Sequence, residues 1–127
     1  MTQNRPVNIN LLKIKLPLSA FLSITHRISG ILIFFIVLPV SVFIFSELTQ
    51  SQDSFNNFMI MYDKNLGIKF GCVGLILIFQ YHIFTGVRHI LMDFHILNES
   101  LSSSYKSAVT TLVLFAVNAL LTLWVML

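Results

Sequence analysis

The second of three long apolar runs in this 127-residue chain ends in the stretch Gln80-Tyr81-His82-Ile83-Phe84-Thr85-Gly86-Val87-Arg88-His89-Ile90-Leu91-Met92-Asp93. Successive residues of an α-helix lie about 100° apart around its axis. The helical positions of His82, Gly86 and His89 therefore fall on one face. Asp93 lies on the same face, whereas Arg88 points elsewhere. Polar groups that follow one stripe of an apolar helix indicate a binding site or a surface for a partner.

The composition of the chain favours a membrane protein. Hydrophobic residues make up 56% of it and charged residues only 10%, against about 25% charged residues in a typical soluble domain. Three stretches without Asp, Glu, Lys or Arg are each close to the ~20 residues that cross a ~30 Å hydrocarbon core; they span residues 28–46, 70–87 and 107–127. We therefore predict an all-α membrane protein, a single domain over residues 1–127, with three transmembrane helices at about 17–48, 65–92 and 105–127.

The distribution of Lys and Arg predicts the orientation of these helices. With the N-terminus inside, six basic residues lie on the inner side: Arg5, Lys13, Lys15, Arg27, Arg88 and Lys106. Lys64 and Lys69 remain outside. The positive-inside rule therefore predicts an inner N-terminus and an outer C-terminus. Because these charges flank membrane spans, the net charge of +3 indicates contact with membrane lipid and no nucleic acid.

The segments between the spans are expected to be loops. Residues 49–64 would form a polar outer loop and residues 98–104 a short inner loop, while residues 1–16 would lie along the inner surface. Pro39 lies deep in the first span, where proline is expected to kink a helix. The alternative, which we prefer, is that it is simply tolerated, as prolines are in membrane helices.

His82 is the strongest candidate for chemistry. It lies six residues before Arg88 and so ~9 Å deeper in the membrane, whereas His26 and Arg27 are expected at the headgroup boundary. Ionisable groups at such depth usually face a partner, a cavity or a cofactor. Imidazole is a strong axial ligand of haem iron, and a hydrogen-bonded contact between helices is the alternative. The glycines on the same side of the helix and His89 one heptad later favour haem.

A low-spin b-type haem needs a second axial ligand, and the chain offers no other deep histidine. His89 is ~10 Å nearer the inner surface, so another subunit is expected to supply that ligand. His26, Arg27 and His89 are expected near the inner face, where they are candidates for charge-assisted hydrogen bonds to haem propionates. Asp93 is expected to balance Arg88 or a cation of a partner.

Ser23 and Arg27 form an i, i+4 pair on the first turns of the first helix. A serine donor beside a fixed cation suits a carbonyl ligand that gains negative charge on reduction, such as a quinone. The alternative is that Arg27 reaches out to the phosphates of lipid headgroups. These two residues by themselves leave both interpretations equally open.

Three segments of the sequence form a set: Arg5-Pro6-Val7-Asn8, Ser23-Ile24-Thr25-His26-Arg27-Ile28-Ser29-Gly30 and the stretch from His82 to Asp93. Together they resemble the cytochrome b membrane-anchor subunits of succinate dehydrogenase, which is respiratory complex II. The family pattern is an N-terminal Arg-Pro, then Ser-x-x-His-Arg-x-[Ser/Thr]-Gly opening helix 1 and His-x-x-x-Gly-x-Arg-His-x-x-x-Asp closing helix 2. All three elements occur here in that order.

The resemblance implies a role for each matching residue. His82 would be an axial ligand of haem b, shared with a second small membrane-anchor subunit. Ser23 and Arg27 would line the ubiquinone pocket, and His26, Arg27 and His89 would lie near the haem propionates. The chain would hold an iron–sulfur subunit and a flavoprotein subunit on the inner face and pass electrons from succinate oxidation to ubiquinone, with no catalytic residue of its own.

Two alternatives remain open at this point. A quinol:fumarate reductase, which runs the reaction backward, would have an anchor subunit with much the same site. A purely structural membrane subunit would have no redox role. The sequence also leaves open whether the membrane is the cytoplasmic (inner) membrane of a bacterium or the mitochondrial inner membrane.

Overall fold

The computed structural model describes residues 16–98 and 100–127, and within them the chain is helical and contains no strand. Four helices follow one another in these two ranges: α1 (Leu18–Gln50), α2 (Gln52–Lys64), α3 (Leu66–Asp93) and α4 (Leu101–Met126). α1, α3 and α4 are long and apolar enough to cross a membrane. The all-α fold with three candidate membrane spans is therefore confirmed, and the chain is an integral membrane protein.

The three long helices form a bundle in which α3 packs against both α1 and α4. Hydrogen bonds between the helices show that α3 runs antiparallel to both neighbours. The start of α1, the end of α3 and the start of α4 therefore meet at one end, called the Asp93 end below. Toward it lie three of the basic residues predicted for the inner side: Arg27, Arg88 and Lys106. The other three lie outside the described residues: Arg5, Lys13 and Lys15.

α1 continues past Pro39 because the turn before this residue widens. Proline has no N–H, and its ring clashes with the carbonyl four residues earlier in an ordinary α-helix. Residues Ile33–Val37 form a π-helical turn, in which the Leu38 N–H bonds to the carbonyl of Ile33. A π-helical turn is one of the recognised ways in which a helix absorbs such an interruption. α1 thus remains a single span of 33 residues.

The segment 49–64 is largely helical, so the prediction that it forms a loop is wrong. Ser51 caps α2, since its hydroxyl oxygen accepts a hydrogen bond from the Ser54 N–H at 3.0 Å. Asp53 in the first turn and Lys64 in the last turn complement the helix dipole. Large apolar side chains recur at the helical spacing i, i+3, i+4, i+7: Phe55, Phe58, Met59 and Tyr62. The mostly polar composition of the segment conceals this amphipathic period.

α4 begins at Leu101 rather than at the expected residue 105, because Ser100 caps it. The Ser100 hydroxyl oxygen accepts a hydrogen bond from the Ser103 N–H at 3.3 Å. Residues 101–104, expected in a loop, are therefore helical. The remaining ends of the long helices lie within one or two residues of the expected bounds 17–48, 65–92 and 105–127.

Arg88 joins α3 to α4 on a face away from the histidines. Arg88 is only 3% exposed. Its Nε donates to the Ser107 hydroxyl, and its Nη2 donates to both the carbonyl and the hydroxyl of Ser104, all at 3.2 Å. No ion pair between Arg88 and Asp93 occurs in the described ranges, so the first of the two expected roles of Asp93 is wrong. The first two turns of α4 supply the hydrogen-bond acceptors of this buried cation instead.

Candidate functional site

α1 and α3 bring His26 and His82 face to face. The ring centroids are 4.1 Å apart and the ring planes are tilted by only 11°. The ring of His89 lies 5.0 Å from that of His26, at an angle of 52°. The three predicted site histidines therefore form one cluster. The expected difference in depth between His26 and His82 is wrong, because stacked rings lie at one level and the register of α1 against α3 determines that level.

Each ring of the stacked pair is hydrogen-bonded to a hydroxyl group of the opposite helix. His82 Nδ1 lies 2.9 Å from Ser29 Oγ, and His26 Nδ1 lies 2.8 Å from Thr85 Oγ1. Ser29 and Thr85 are both buried, with exposed fractions of 5% and 1%. The two contacts are reciprocal, so each helix supplies one ring and one hydroxyl group.

The hydroxyl protons of Ser29 and Thr85 are already used within their own helices. Ser29 Oγ lies 2.7 Å from the His26 carbonyl, and Thr85 Oγ1 lies 2.8 Å from the Tyr81 carbonyl. A carbonyl oxygen only accepts, so each hydroxyl donates to its helix and accepts the N–H of an imidazole. We assign the Nδ1–H tautomer to both rings on this basis. A lone pair then remains on each Nε2, and in the described part of the chain nothing hydrogen-bonds to that of His82.

The stacked histidines belong to a repeated motif. The pattern His-x-x-[Ser/Thr]-Gly occurs at residues 26–30 on α1 and again at residues 82–86 on α3. The residues just before the histidines, Thr25 and Tyr81, are hydrogen-bonded to each other through their hydroxyl groups. Because α1 and α3 are antiparallel, the two motifs face each other and make reciprocal contacts. Each histidine therefore lies against the hydroxyl group and the glycine of the other motif.

The glycines of the two motifs give the rings room. A Cβ atom on Gly30 would lie 3.2 Å from Cε1 of His82, and one on Gly86 would lie 3.1 Å from Cε1 of His26. Both distances are tighter than ordinary van der Waals contact. Ser29, Gly30 and Thr85 were not among the predicted site residues. The repeated motif is the sequence signal that identifies them.

Enlarging Gly86 is expected to destabilise the contact between α1 and α3. Gly86→Val places a branched side chain where even a Cβ atom alone would lie 3.1 Å from Cε1 of His26. Overpacking of this kind destabilises a fold by about 1–3 kcal/mol. Gly74→Val is the matched control, because a Cβ at Gly74 meets nothing within 4 Å. Unfolding of the purified chain in mixed micelles by sodium dodecyl sulfate, followed by circular dichroism, measures both. An equal loss of stability in the two variants would contradict the close approach at Gly86.

Ser23 and Arg27 lie one turn apart on α1, toward the Asp93 end. Arg27 is exposed and Ser23 is half-buried. The Arg27 charge acts electrostatically on the His89 ring, as do the charges of Arg88 and Asp93. Neither Ser23 nor Arg27 is hydrogen-bonded or ion-paired with another residue of the described ranges. A hydroxyl group and a guanidinium group are therefore available beside the histidine cluster.

Comparison with known proteins points to one family. A family model described as the succinate dehydrogenase/fumarate reductase transmembrane subunit matches residues 1–124. The succinate dehydrogenase cytochrome b556 subunit of Coxiella burnetii is 36% identical over 93 residues, which cover 73% of this chain and 74% of that protein. The succinate dehydrogenase cytochrome b560 subunit of Porphyra purpurea is 34% identical over 112 residues, which cover 87% and 88%. That of Chondrus crispus is 35% identical over 100 residues, which cover 72% of each chain.

Proposed function

Because this chain belongs to the family of cytochrome b membrane-anchor subunits of succinate dehydrogenase and fumarate reductase, we propose that it binds haem b and ubiquinone in a succinate dehydrogenase. In that complex it anchors the flavoprotein and iron–sulfur subunits and passes electrons from succinate oxidation to ubiquinone. The succinate-oxidising direction is proposed because the relatives that the chain resembles carry that name. The preferred quinone and its potential distinguish this direction from fumarate reduction.

The hydrogen bonding of His82 is the observation that carries the haem part of the proposal. Ser29 accepts the N–H of its Nδ1, so the Nε2 lone pair is available to a metal, as in most metal-binding histidines. When bound, haem b supplies a one-electron store beside the quinone. His26 is in the same tautomer, and the match of the segment 82–93 to the family pattern favours His82 as the ligand.

The stacked rings support a second axial ligand from another subunit. Rings with centroids 4.1 Å apart are in van der Waals contact, so no flat macrocycle fits between His26 and His82 as they stand here. These two side chains therefore do not suit one iron from opposite sides. We propose that a second small anchor subunit supplies the other ligand and so completes the site.

The three proposed propionate contacts differ in the donors that they offer. Arg27 is exposed and has five N–H donors, which match a carboxylate well. The Nδ1–H of His26 already goes to Thr85. His89 lies 5.0 Å from the His26 ring and near the Arg27 charge. Arg27 is therefore the strongest of the three candidates.

Ser23 and Arg27 are the proposed quinone contacts. A quinone oxygen becomes negatively charged as electrons arrive, and a nearby guanidinium group lowers the energy of that charge. The Ser23 hydroxyl group, one turn away, orients the ring by donating a hydrogen bond. Both groups have no other partner in the described part of the chain, so they are available to the substrate. The two protons that complete reduction to the quinol come from water at the membrane surface or from a relay.

The Asp93 end is proposed to face the inner side of the membrane, where the soluble subunits dock. Its basic residues support this orientation, and the proposed quinone contacts lie toward the same end. Quinone there would be close to an iron–sulfur subunit bound at this surface. The opposite end, with α2, would then lie on the outer side.

Labelling of single cysteines tests this orientation. Cys72 is the only cysteine of the chain, so Cys72→Ser gives a background in which Asn98→Cys and Gln52→Cys, both exposed positions, are labelled individually. A membrane-impermeant maleimide is expected to label the first in inside-out vesicles stripped of soluble subunits, and the second only in right-side-out vesicles. Rebinding the soluble subunits should protect Asn98→Cys alone. The reverse pattern of labelling would contradict the orientation.

A pyridine haemochrome assay on the purified complex tests the redox role against a purely structural one. The proposal requires a b-type haem in the membrane part that disappears when this chain is deleted and returns when it is restored. A complex that contains the chain, reduces quinone and has no b-type haem would exclude the haem part of the proposal.

A further inference from the structure

We propose that Ser29 is a positioning residue for His82, holding this histidine in the tautomer that binds iron. The inference rests on the proposed function, because it takes His82 as the axial ligand. The Ser29 hydroxyl group donates to the His26 carbonyl at 2.7 Å and accepts the His82 Nδ1–H at 2.9 Å. The Ser29 hydroxyl proton is therefore used by the His26 carbonyl, and toward His82 the hydroxyl oxygen can only accept.

Ser29 and Gly30 together hold the His82 ring on two sides. Ser29 bonds to Nδ1, and Gly30 lies so close to Cε1 that a Cβ would be at 3.2 Å. Ser29 is 5% exposed, so water has little access to replace its hydroxyl group. A ring restrained at Nδ1 and Cε1 presents Nε2 in one direction. This is the preorganisation that a ligand needs before its metal arrives.

The hydrogen bond also affects how strongly His82 donates electrons. An acceptor on Nδ1–H increases the basicity of Nε2, which favours the oxidised, more positive form of a bound iron over the reduced form. Ser29→Ala removes the acceptor and is expected to shift the haem midpoint potential upward. Because one neutral hydrogen bond is lost, the reduction equilibrium should change by roughly threefold. The rate of haem transfer from the complex to excess apomyoglobin should rise by about tenfold.

The repeated motif supplies matched controls within the same chain. Thr85 occupies the position equivalent to Ser29: its hydroxyl group accepts the Nδ1–H of His26 at 2.8 Å and donates to the carbonyls of Tyr81, at 2.8 Å, and His82, at 3.2 Å. A threonine thus makes this pattern of bonds, and Ser29→Thr is expected to restore the potential toward that of the wild type. Thr85→Val removes the equivalent hydroxyl group with little change in volume, and its effect on the midpoint potential is expected to be clearly smaller than that of Ser29→Ala.

The experiment is an optical redox titration of the assembled complex carrying Ser29→Ala, Ser29→Thr, Thr85→Val or His82→Ala. An upward shift in Ser29→Ala, reversed in Ser29→Thr and small in Thr85→Val, supports the inference. An unchanged potential in Ser29→Ala, or an equal shift in Thr85→Val, overturns it. His82→Ala separates this failure from failure of the proposed function, because an unchanged low-spin spectrum in His82→Ala would remove the ligand itself from the proposal.

Discussion

Replacing His82 with alanine is expected to abolish or severely perturb the low-spin haem absorption of the assembled complex. The reason is the lone pair on Nε2, which is left free because Nδ1–H is hydrogen-bonded to Ser29. Alanine supplies no ligand atom, and low-spin b-type haem requires two strong axial ligands. Reduced-minus-oxidised spectra of the purified complex, normalised to its subunit content, measure the change.

His26→Ala is the matched comparison for His82→Ala. Both substitutions remove one ring of the same stacked pair, and both rings have the same tautomer. If His82 is the ligand, His26→Ala retains the low-spin spectrum and His82→Ala does not. The opposite result would transfer the proposed ligand to His26. His95→Asn controls for loss of a histidine outside the cluster, since asparagine tolerates the positive φ of 55° found there.

The membrane spans can be predicted from the sequence because the length of an uncharged apolar stretch is enough to identify each of them. Hydrocarbon thickness fixes the number of apolar residues that a helix needs, and the uncharged stretches of this chain satisfy it three times. Mean hydropathy does not reveal α2, because this helix is identified by the spacing of its apolar residues. Phe55, Phe58 and Tyr62 follow helical spacing after the Ser51 cap, although the segment as a whole is polar.

The site depends on the register between two helices, which no count along one helix provides. Angles around α3 correctly group His82 with His89, but the level of His26 depends on where α1 sits against α3. At the level that the packing gives, each ring lies close to the glycine of the opposite helix, Gly30 or Gly86. The repeat of His-x-x-[Ser/Thr]-Gly is visible in the sequence. Its role follows only from the antiparallel packing of α1 and α3, which brings each motif into contact with the other.

The hydrogen-bond partners of Arg88 also depend on how one helix packs against another, and positions along α3 alone do not give them. On sequence grounds Asp93 is a natural counter-ion for it, yet residues five apart on a helix do not face each other. The partners of Arg88 are hydroxyl and carbonyl groups of Ser104 and Ser107 on α4. These residues lie in and just after a segment that the sequence assigns to a loop. Assigning residues 98–104 to a loop therefore explains two errors. It places the start of α4 too late, and it hides the partners of Arg88.

Replacing Arg27 with leucine is expected to lower ubiquinone reduction by roughly 10²-fold, which is typical of the loss of one group that stabilises a developing oxyanion. Succinate oxidation with a soluble artificial dye should stay close to normal, because the dye takes electrons before the membrane. The ubiquinone reduction rate of Arg27→Lys should lie between those of the wild type and Arg27→Leu, since lysine keeps the charge and loses the planar donors. Steady-state rates with both acceptors measure the difference.

Lys106→Leu is the control for Arg27→Leu, because it removes one exposed positive charge at the same end of the bundle. It is expected to leave both rates nearly unchanged, so that an effect confined to Arg27 reports position and not net charge. Equal loss of the two activities in Arg27→Leu, with normal subunit content, would contradict a role at the quinone.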